Sequence, residues 1–583
     1  MKRRDFIQKL SMATLPFTLG GIPMRLMADN ALTRMASLST NDRVLIILQM
    51  HGGNDGLNAV IPYTDYDQYY SNRANIAIPI KNSARKMIKL DSTLPLNAQV
   101  GLHPDMIGIK DLYDRGRMAI VQGVSYKNNN GSHFRGRDIS FMGGSFNDYF
   151  SSGWVGRYLG KEFTNPPSIE YPRNFPNADM PDPLAIEMGN DVSLIFHQKG
   201  NIPMSVSIGD PDAFNKLVNG DGTPGSAGLN GFIDIGNDPR GYPPAALENT
   251  PYGKELLWIL GLEEKTKDYA KRLADVYNAA SKTSVTYPET YPFNAPTGSL
   301  RNGLSGQLQI VARLLDGGGA GKGVKSKVFL LKIGGFDTHA DQVESYDPTM
   351  GVHAALMYHI SSAMQAFQSD LRARGLEDRV LTVTTSEFGR RIKSNGSYGT
   401  DHGTGAPMYI FGKGAQPGVF GKVPDLTKDN VEMQYDYRQV YASILRDWML
   451  IDEAVINKDI FFGNYFTGPK EEGTGNYENL TVATQVISGV QDNFISDRFA
   501  LLDCFPNPAK ESTTISFKMN NTNFVSLNLL DNSGRVLKIL VNGQKEEGEH
   551  AIKVDVTDLP TGVYLYKFKT GFIEETKKLI VTK

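Results

Sequence analysis

Three short, uninterrupted apolar runs constrain this chain most. Val44-Leu45-Ile46-Ile47-Leu48, Lys327-Val328-Phe329-Leu330-Leu331 and Arg379-Val380-Leu381-Thr382-Val383 are too short for helices and lack polar alternation. That is the pattern of strands buried on both faces of a parallel sheet. Between the last two, Leu356, Ile360, Met364, Phe367 and Leu371 recur at helical spacing, which predicts a strand–helix–strand unit. The expectation is an α/β domain over residues 41–470, with a doubly wound, mainly parallel sheet. Residues 160–250 are rich in Pro, Gly, Asn and Asp and read as long loops or insertions, and residues 251–316 as largely helical.

Each run is followed by a polar cluster. The first leads into His51-Gly52-Gly53-Asn54-Asp55-Gly56-Leu57-Asn58, the second into Gly334-Gly335-Phe336-Asp337-Thr338-His339-Ala340-Asp341-Gln342. The third leads into Thr385-Ser386-Glu387-Phe388-Gly389-Arg390-Arg391 and then Gly399-Thr400-Asp401-His402-Gly403-Thr404-Gly405. Ligands of open α/β sheets bind beyond the carboxyl ends of the strands. Of nine histidines, three (His51, His339, His402) fall in these segments. Asp337 and His339, two apart on extended chain, share one side, and glycine lets the backbone bend enough for several ligands to converge on a metal. A fourth segment, Asn130-Gly131-Ser132-His133-Phe134-Arg135-Gly136-Arg137-Asp138, follows the apolar run Met118-Ala119-Ile120-Val121. A serine opening a helix meets the positive end of its dipole and suits an ionised hydroxyl; it equally suits a plain N-cap. Arg135 and Arg137 could contact an anion.

These four segments together resemble the domain-of-unknown-function 1501 family, over most of residues 41–470. That family is similar to the alkaline phosphatase and sulfatase superfamily. The resemblance implies metals at the strand ends and a nucleophile at a helix N-terminus. It casts Asp55 as the first-strand metal ligand, Ser132 as nucleophile, and Asp337 with His339 as the acid–histidine pair. Glu387 becomes the later strand-end acid and His402 the last metal histidine, with Asp401 next to it in the glycine-flanked loop a further candidate metal ligand. Two departures point away from a two-zinc site: Glu387-Phe388 stands where the phosphatases have Asp-His, and the spacing from Asp337 to His339 is short. A carboxylate-rich set suits calcium, magnesium or manganese better than zinc. Ser132 lacks the flanking pattern for conversion to formylglycine.

The two ends read as addresses. Met1-Lys2-Arg3-Arg4-Asp5-Phe6-Ile7 before an apolar, Gly/Pro-broken run resembles a twin-arginine signal over residues 1–31, with a general secretory signal as the alternative. From Cys504 the texture becomes short alternating strands: Val525, Leu527 and Leu529 against Ser526 and Asn528, then Tyr564, Tyr566 and Phe568. Phe505-Pro506-Asn507-Pro508, Leu559-Pro560-Thr561-Gly562-Val563-Tyr564 and the basic finish resemble the type A sorting domain of type IX secretion over residues 504–583, behind a linker at 471–503. An accessory carbohydrate-binding sandwich is the alternative. These readings imply the twin-arginine translocase and the type IX machinery as partners. They imply passage through the periplasm to the cell surface or medium, with no stable membrane span once the leader is gone.

Charge is balanced, with 61 Lys+Arg against 63 Asp+Glu and a net charge of −2, so nothing argues for nucleic acid. The single cysteine excludes an intrachain disulfide. The chemistry suggested is an exported, metal-dependent hydrolase of phosphate or sulfate esters. Ser132 would attack, His133 or a metal-bound oxygen would take its proton, and Arg135 and Arg390 would hold the developing charge. The alternative is a non-catalytic surface protein that binds glycan or a protein partner on the same fold.

Overall fold

The computed structural model describes residues 41–164, 170–219 apart from 173, 190, 191 and 201, 266–463, 480–484, and 500–583 apart from 503, 520–522, 532–533, 547 and 571–572. The leader at 1–31 and most of the linker lie outside the described residues. The chain divides into two units, Met1–Met106 with Ala119–Val486 and Ile107–Met118 with Ile487–Lys583.

The larger unit is built on a mainly parallel sheet. Its strands are β1 (Val44–Met50), β2 (Met118–Ser125), β3 (Ala185–Met188), β4 (Ser205–Ile208), β5 (Val328–Ile333), β6 (Val380–Ser386), β7 (Ala406–Phe411) and β8 (Gly418–Phe420). They lie in the order β8-β2-β7-β6-β1-β5-β3-β4, with Tyr435–Asp436 also beside β2. Every residue of β1 is buried, as a strand flanked on both sides and covered on both faces requires. Each of Ile46, Ile47 and Leu48 then contributes about 1.5–3 kcal/mol by leaving water.

Register explains why the polar clusters meet. β1 pairs in parallel with β5, Met50 opposite Ile333, and with β6, Met50 opposite Ser386. The next residues along, His51, Gly334 and Glu387, therefore leave the sheet at one edge. β7 runs antiparallel to β6, so the chain enters it from that same edge after His402. The expected crossover helix is observed as Val352–Ala373, with Leu356, Ile360, Met364, Phe367 and Leu371 all buried. It joins strands that are not neighbours, because β1 lies between them.

Three readings need correction. The stretch expected to be loops contributes two strands, β3 and β4, at the sheet edge. Glu187 breaks the apolar run of β3 and hid it; the buried carboxylate is paired to Lys332 Nζ at 2.5 Å. In the expected helical stretch, 266–279 and 303–316 are helical but 280–302 is largely irregular, and 251–265 lies outside the described residues. Leu480–Thr484, placed in the linker, packs with the larger unit: Thr484 donates to Gly414 O at 2.8 Å and Val482 is fully buried.

The smaller unit carries a three-stranded antiparallel sheet (Ala500–Leu501, Ser512–Met519, Gly548–Asp555) and a four-stranded one (Val536–Lys545, Asn523–Leu530, Gly562–Thr570, Ile573–Val581). The alternation read from sequence is what buries them. Val525, Leu527, Leu529, Tyr566 and Phe568 join Ile515 and Phe517 in one apolar cluster, with the free Cys504 at its margin.

Candidate metal centre

Helix α1 (His133–Met142) brings the fourth segment to the strand ends. Ser132 is its N-cap: the hydroxyl accepts the Arg135 N–H at 3.4 Å. His133 is thus the first helical residue. Gly136 lets the helix approach, since a Cβ there would lie 2.8 Å from Glu387 O. Gly52, at φ +121°, does the same for the loop after β1; a Cβ would meet Asp337 N at 2.3 Å.

Three imidazoles converge on one carboxylate oxygen. Asp337 Oδ1 lies 3.5 Å from His133 Nε2, 3.3 Å from His339 Nε2 and 3.5 Å from His402 Nε2. His339 and His402 Nε2 are themselves 2.8 Å apart. Ligands at 2.0–2.1 Å around one tetrahedral ion stand about 3.3 Å from one another; His133, Asp337 and His402 offer ligand atoms that all lie within 4.8 Å of one another, with His339 beside Asp337 as a further candidate. Both ring nitrogens of His133 are buried without a hydrogen-bond partner, a costly state that an ion bound at Nε2 would relieve there. The donors therefore fit a divalent metal.

The surroundings orient the set. Arg390, fully buried, donates to Gly53 O, Thr400 O, Gly52 O and Phe336 O, and to Asp337 Oδ1 at 2.8 Å. Burial pushes the Asp337 carboxyl up, but this guanidinium and the neighbouring imidazoles bring it below its ordinary range. Burial, then Arg390 and the other two imidazoles, holds His402 below its ordinary value, which keeps its nitrogens available to a metal. Asp401 Oδ1 stands 3.6 Å from His339 Nδ1, an outer carboxylate that turns the ring's Nε2 inward. The Phe388 ring packs against both His133 and His402, at 4.7 and 4.5 Å between centroids, and those two rings touch each other at 4.4 Å.

The structure thus gathers Asp337, His339 and His402 as expected ligands, and adds His133, expected as a base. It does not bring Asp55 or Glu387 to them. Asp55 is buried against Arg73 Nη1 at 2.8 and 2.9 Å and accepts from Gln342 at 2.6 Å. Glu387 accepts from His51 Nδ1 and from the Gly52 and Gly53 amides at 3.0 and 3.1 Å. With both carboxylates engaged, the assembled set is imidazole-rich, which suits zinc and other late first-row transition ions better than calcium. Arg135 Nη2 donates to Phe146 O and Asp148 O, while Arg390 has every nitrogen engaged by backbone carbonyls and Asp337 and is not free to receive an oxyanion.

Sequence reasoning noticed His51 but gave it no role. It is half exposed, and its ring centroid lies 6.4 Å from that of His133. The Glu387 hydrogen bond, against some desolvation, raises its pKa. His51 lines a cavity of about 390 Å³ with Gln49, Arg137, Asp138, Ser193 and Lys332 among its walls.

The fold and this centre describe a strand-end α/β protein with a candidate metal site. Residues 265–459 match the family described as protein of unknown function (DUF1501), and residues 503–582 match the secretion system C-terminal sorting domain. The sorting domain marks the chain for export to the cell surface or for secretion. No curated protein matches the chain. Among solved structures it is similar to a protein in the alkaline phosphatase superfamily from Vibrio parahaemolyticus (10% identity, 91% of this chain and 83% of that one, TM-score 0.29). It is also similar to a sulfatase from Pseudoalteromonas sp. (10% identity, 92% and 89%, TM-score 0.31) and to alkaline phosphatase from the Antarctic bacterium TAB5 (8% identity, 65% and 94%, TM-score 0.25). Likenesses this loose say nothing about activity. Among the described residues no helix is long and apolar enough to cross a membrane.

Proposed function

We propose that the larger unit is a metal-dependent hydrolase of phosphate or sulfate esters acting outside the cytoplasm, delivered by a twin-arginine leader and the type IX route. The observation that carries this reading is the convergence of three imidazole nitrogens on Asp337 Oδ1 at 3.3–3.5 Å. His133, His339, His402 and Asp337 would hold one divalent ion. When bound, such an ion supplies Lewis-acid polarisation of the ester. Arg390 keeps the Asp337 carboxylate ionised and in place. Arg137 and Lys332 stand on the cavity wall, each paired with an acid (Asp138 and Glu187), and this polar wall suits the hydroxyls of a glycan.

A second reading, a non-catalytic surface protein with a structural metal, draws support from Ser132, whose hydroxyl is used as a helix cap. Elemental analysis of the full-length protein beside an Asp337→Ala/His402→Ala variant, with a screen of phosphate and sulfate esters, separates the two. The hydrolase reading expects metal and turnover in the wild type and neither in the variant. Metal without turnover of any ester leaves the binding protein.

A further inference from the structure

The His51–Glu387 pair stands at the strand ends, outside the metal set, and His51 lines a cavity. The Glu387 carboxylate is 1% exposed and fixed by the Gly52 and Gly53 amides as well as by His51 Nδ1. A carboxylate so held imposes one tautomer: the proton sits on Nδ1 and Nε2 keeps its lone pair. The His51 side chain is half exposed and lines the cavity with Arg137 and Lys332. A buried acid orienting a histidine at an open site is the arrangement of a general base. His133, the base the sequence suggested for Ser132, is turned to Asp337 instead, and among the described contacts the Ser132 hydroxyl receives only the Arg135 N–H.

We propose that His51, positioned by Glu387, is the general base that activates water, so that the ester is hydrolysed in one displacement without an enzyme-bound ester on Ser132. This rests on the hydrolase reading above. A water O–H bond breaks and its proton passes to His51 Nε2, while the water oxygen forms the new bond to phosphorus or sulfur. The bond to the leaving oxygen breaks with its electron pair on the opposite face, the alkoxide takes a proton from solvent water, and His51 returns its proton to solvent. Alcohol and the phosphate or sulfate anion leave, and Glu387 stays ionised, holding the transient imidazolium.

The test uses full-length, metal-loaded protein with para-nitrophenyl phosphate and para-nitrophenyl sulfate, comparing wild type, His51→Ala, His51→Gln and Ser132→Ala. Loss of a general base lowers kcat by about 10²–10⁴-fold. That loss is expected in both His51 variants, with metal content unchanged and partial rescue of His51→Ala by added imidazole, which the cavity can admit. Ser132→Ala should stay within about threefold of wild type, an N-cap change of the order expected for folding alone. Mass spectrometry of protein denatured during turnover should find no adduct on Ser132. An active wild type with equally active His51 variants, or a Ser132 adduct, overturns this inference and spares the hydrolase reading. A metal-loaded wild type inactive on every ester overturns both.

Discussion

Asp55 and Asp337 look alike in the sequence and end in opposite circumstances. Each follows an apolar strand through a glycine-rich turn. Asp55 is 1% exposed and neutralised by Arg73, itself fully buried. Asp337 has a half-exposed side chain ringed by three imidazoles. Burial pushes the Asp55 carboxyl up, and Arg73, His353 and Gln342 return it below its ordinary range. Both acids are ionised, but only one has coordination to spare. A strand-end acid is therefore a ligand or a girder according to what reaches it from elsewhere in the chain.

The sharpest break of this comparison exchanges the two failures. Asp337→Ala should abolish stoichiometric metal binding, read by elemental analysis, while leaving the metal-free protein folded, because Arg390 keeps its backbone carbonyls. Asp55→Ala should do the reverse. It strands a buried guanidinium, at a cost of about 3–5 kcal/mol in denaturant unfolding, and the surviving folded fraction should still take up metal. Asp55→Ala protein that is fully stable but metal-free would invert the assignment.

A pH experiment sharpens it next. His353, fully buried beside Asn54 and Asp55, is held by burial down at about 4. It is neutral in the fold, whereas the unfolded chain protonates it below its ordinary value near 6.5. The stability it confers is complete above about pH 6.5 and is lost as pH falls towards about 4, up to about 3 kcal/mol. His353→Gln should show a correspondingly smaller fall in urea midpoint between pH 7 and pH 4.5. An unchanged slope would mean that His353 is accessible in the native state.

Metal removal comes third. A chelator should lower the thermal midpoint of the wild type by linkage and leave that of Asp337→Ala unmoved. The smallest effect is at Ser132. Its replacement by alanine should cost about 1 kcal/mol through loss of the cap, with metal content intact. A loss of metal there would show that the cap holds His133 in register.

Much of the fold was legible because burial on both faces forces continuous apolar runs, and the buried helix face forces helical spacing. The sandwich was legible because Val525, Leu527 and Leu529 alternate with polar neighbours. β3 was not, since Glu187 interrupts its run and its partner Lys332 lies far away in sequence. Within the site, Asp337 with His339 was readable from an i, i+2 spacing, and His402 from its glycine-flanked loop. The engagement of Asp55 and Glu387 was not, because no local pattern distinguishes an acid facing a ligand from one capping backbone amides.

By itself the sequence determined that the continuous apolar runs would be strands and which polar residues would stand at their carboxyl ends, for periodicity and glycine turns are local properties. Only the tertiary structure decided which of those residues share a point in space. Strand register set His51, Gly334 and Glu387 at one edge. The helix after β2 carried His133 in from beyond β7, and a bare glycine at 136 let it come close. Whether a side chain coordinates, caps or pairs depends on distances of a few ångströms between segments hundreds of residues apart, and those distances belong to packing alone.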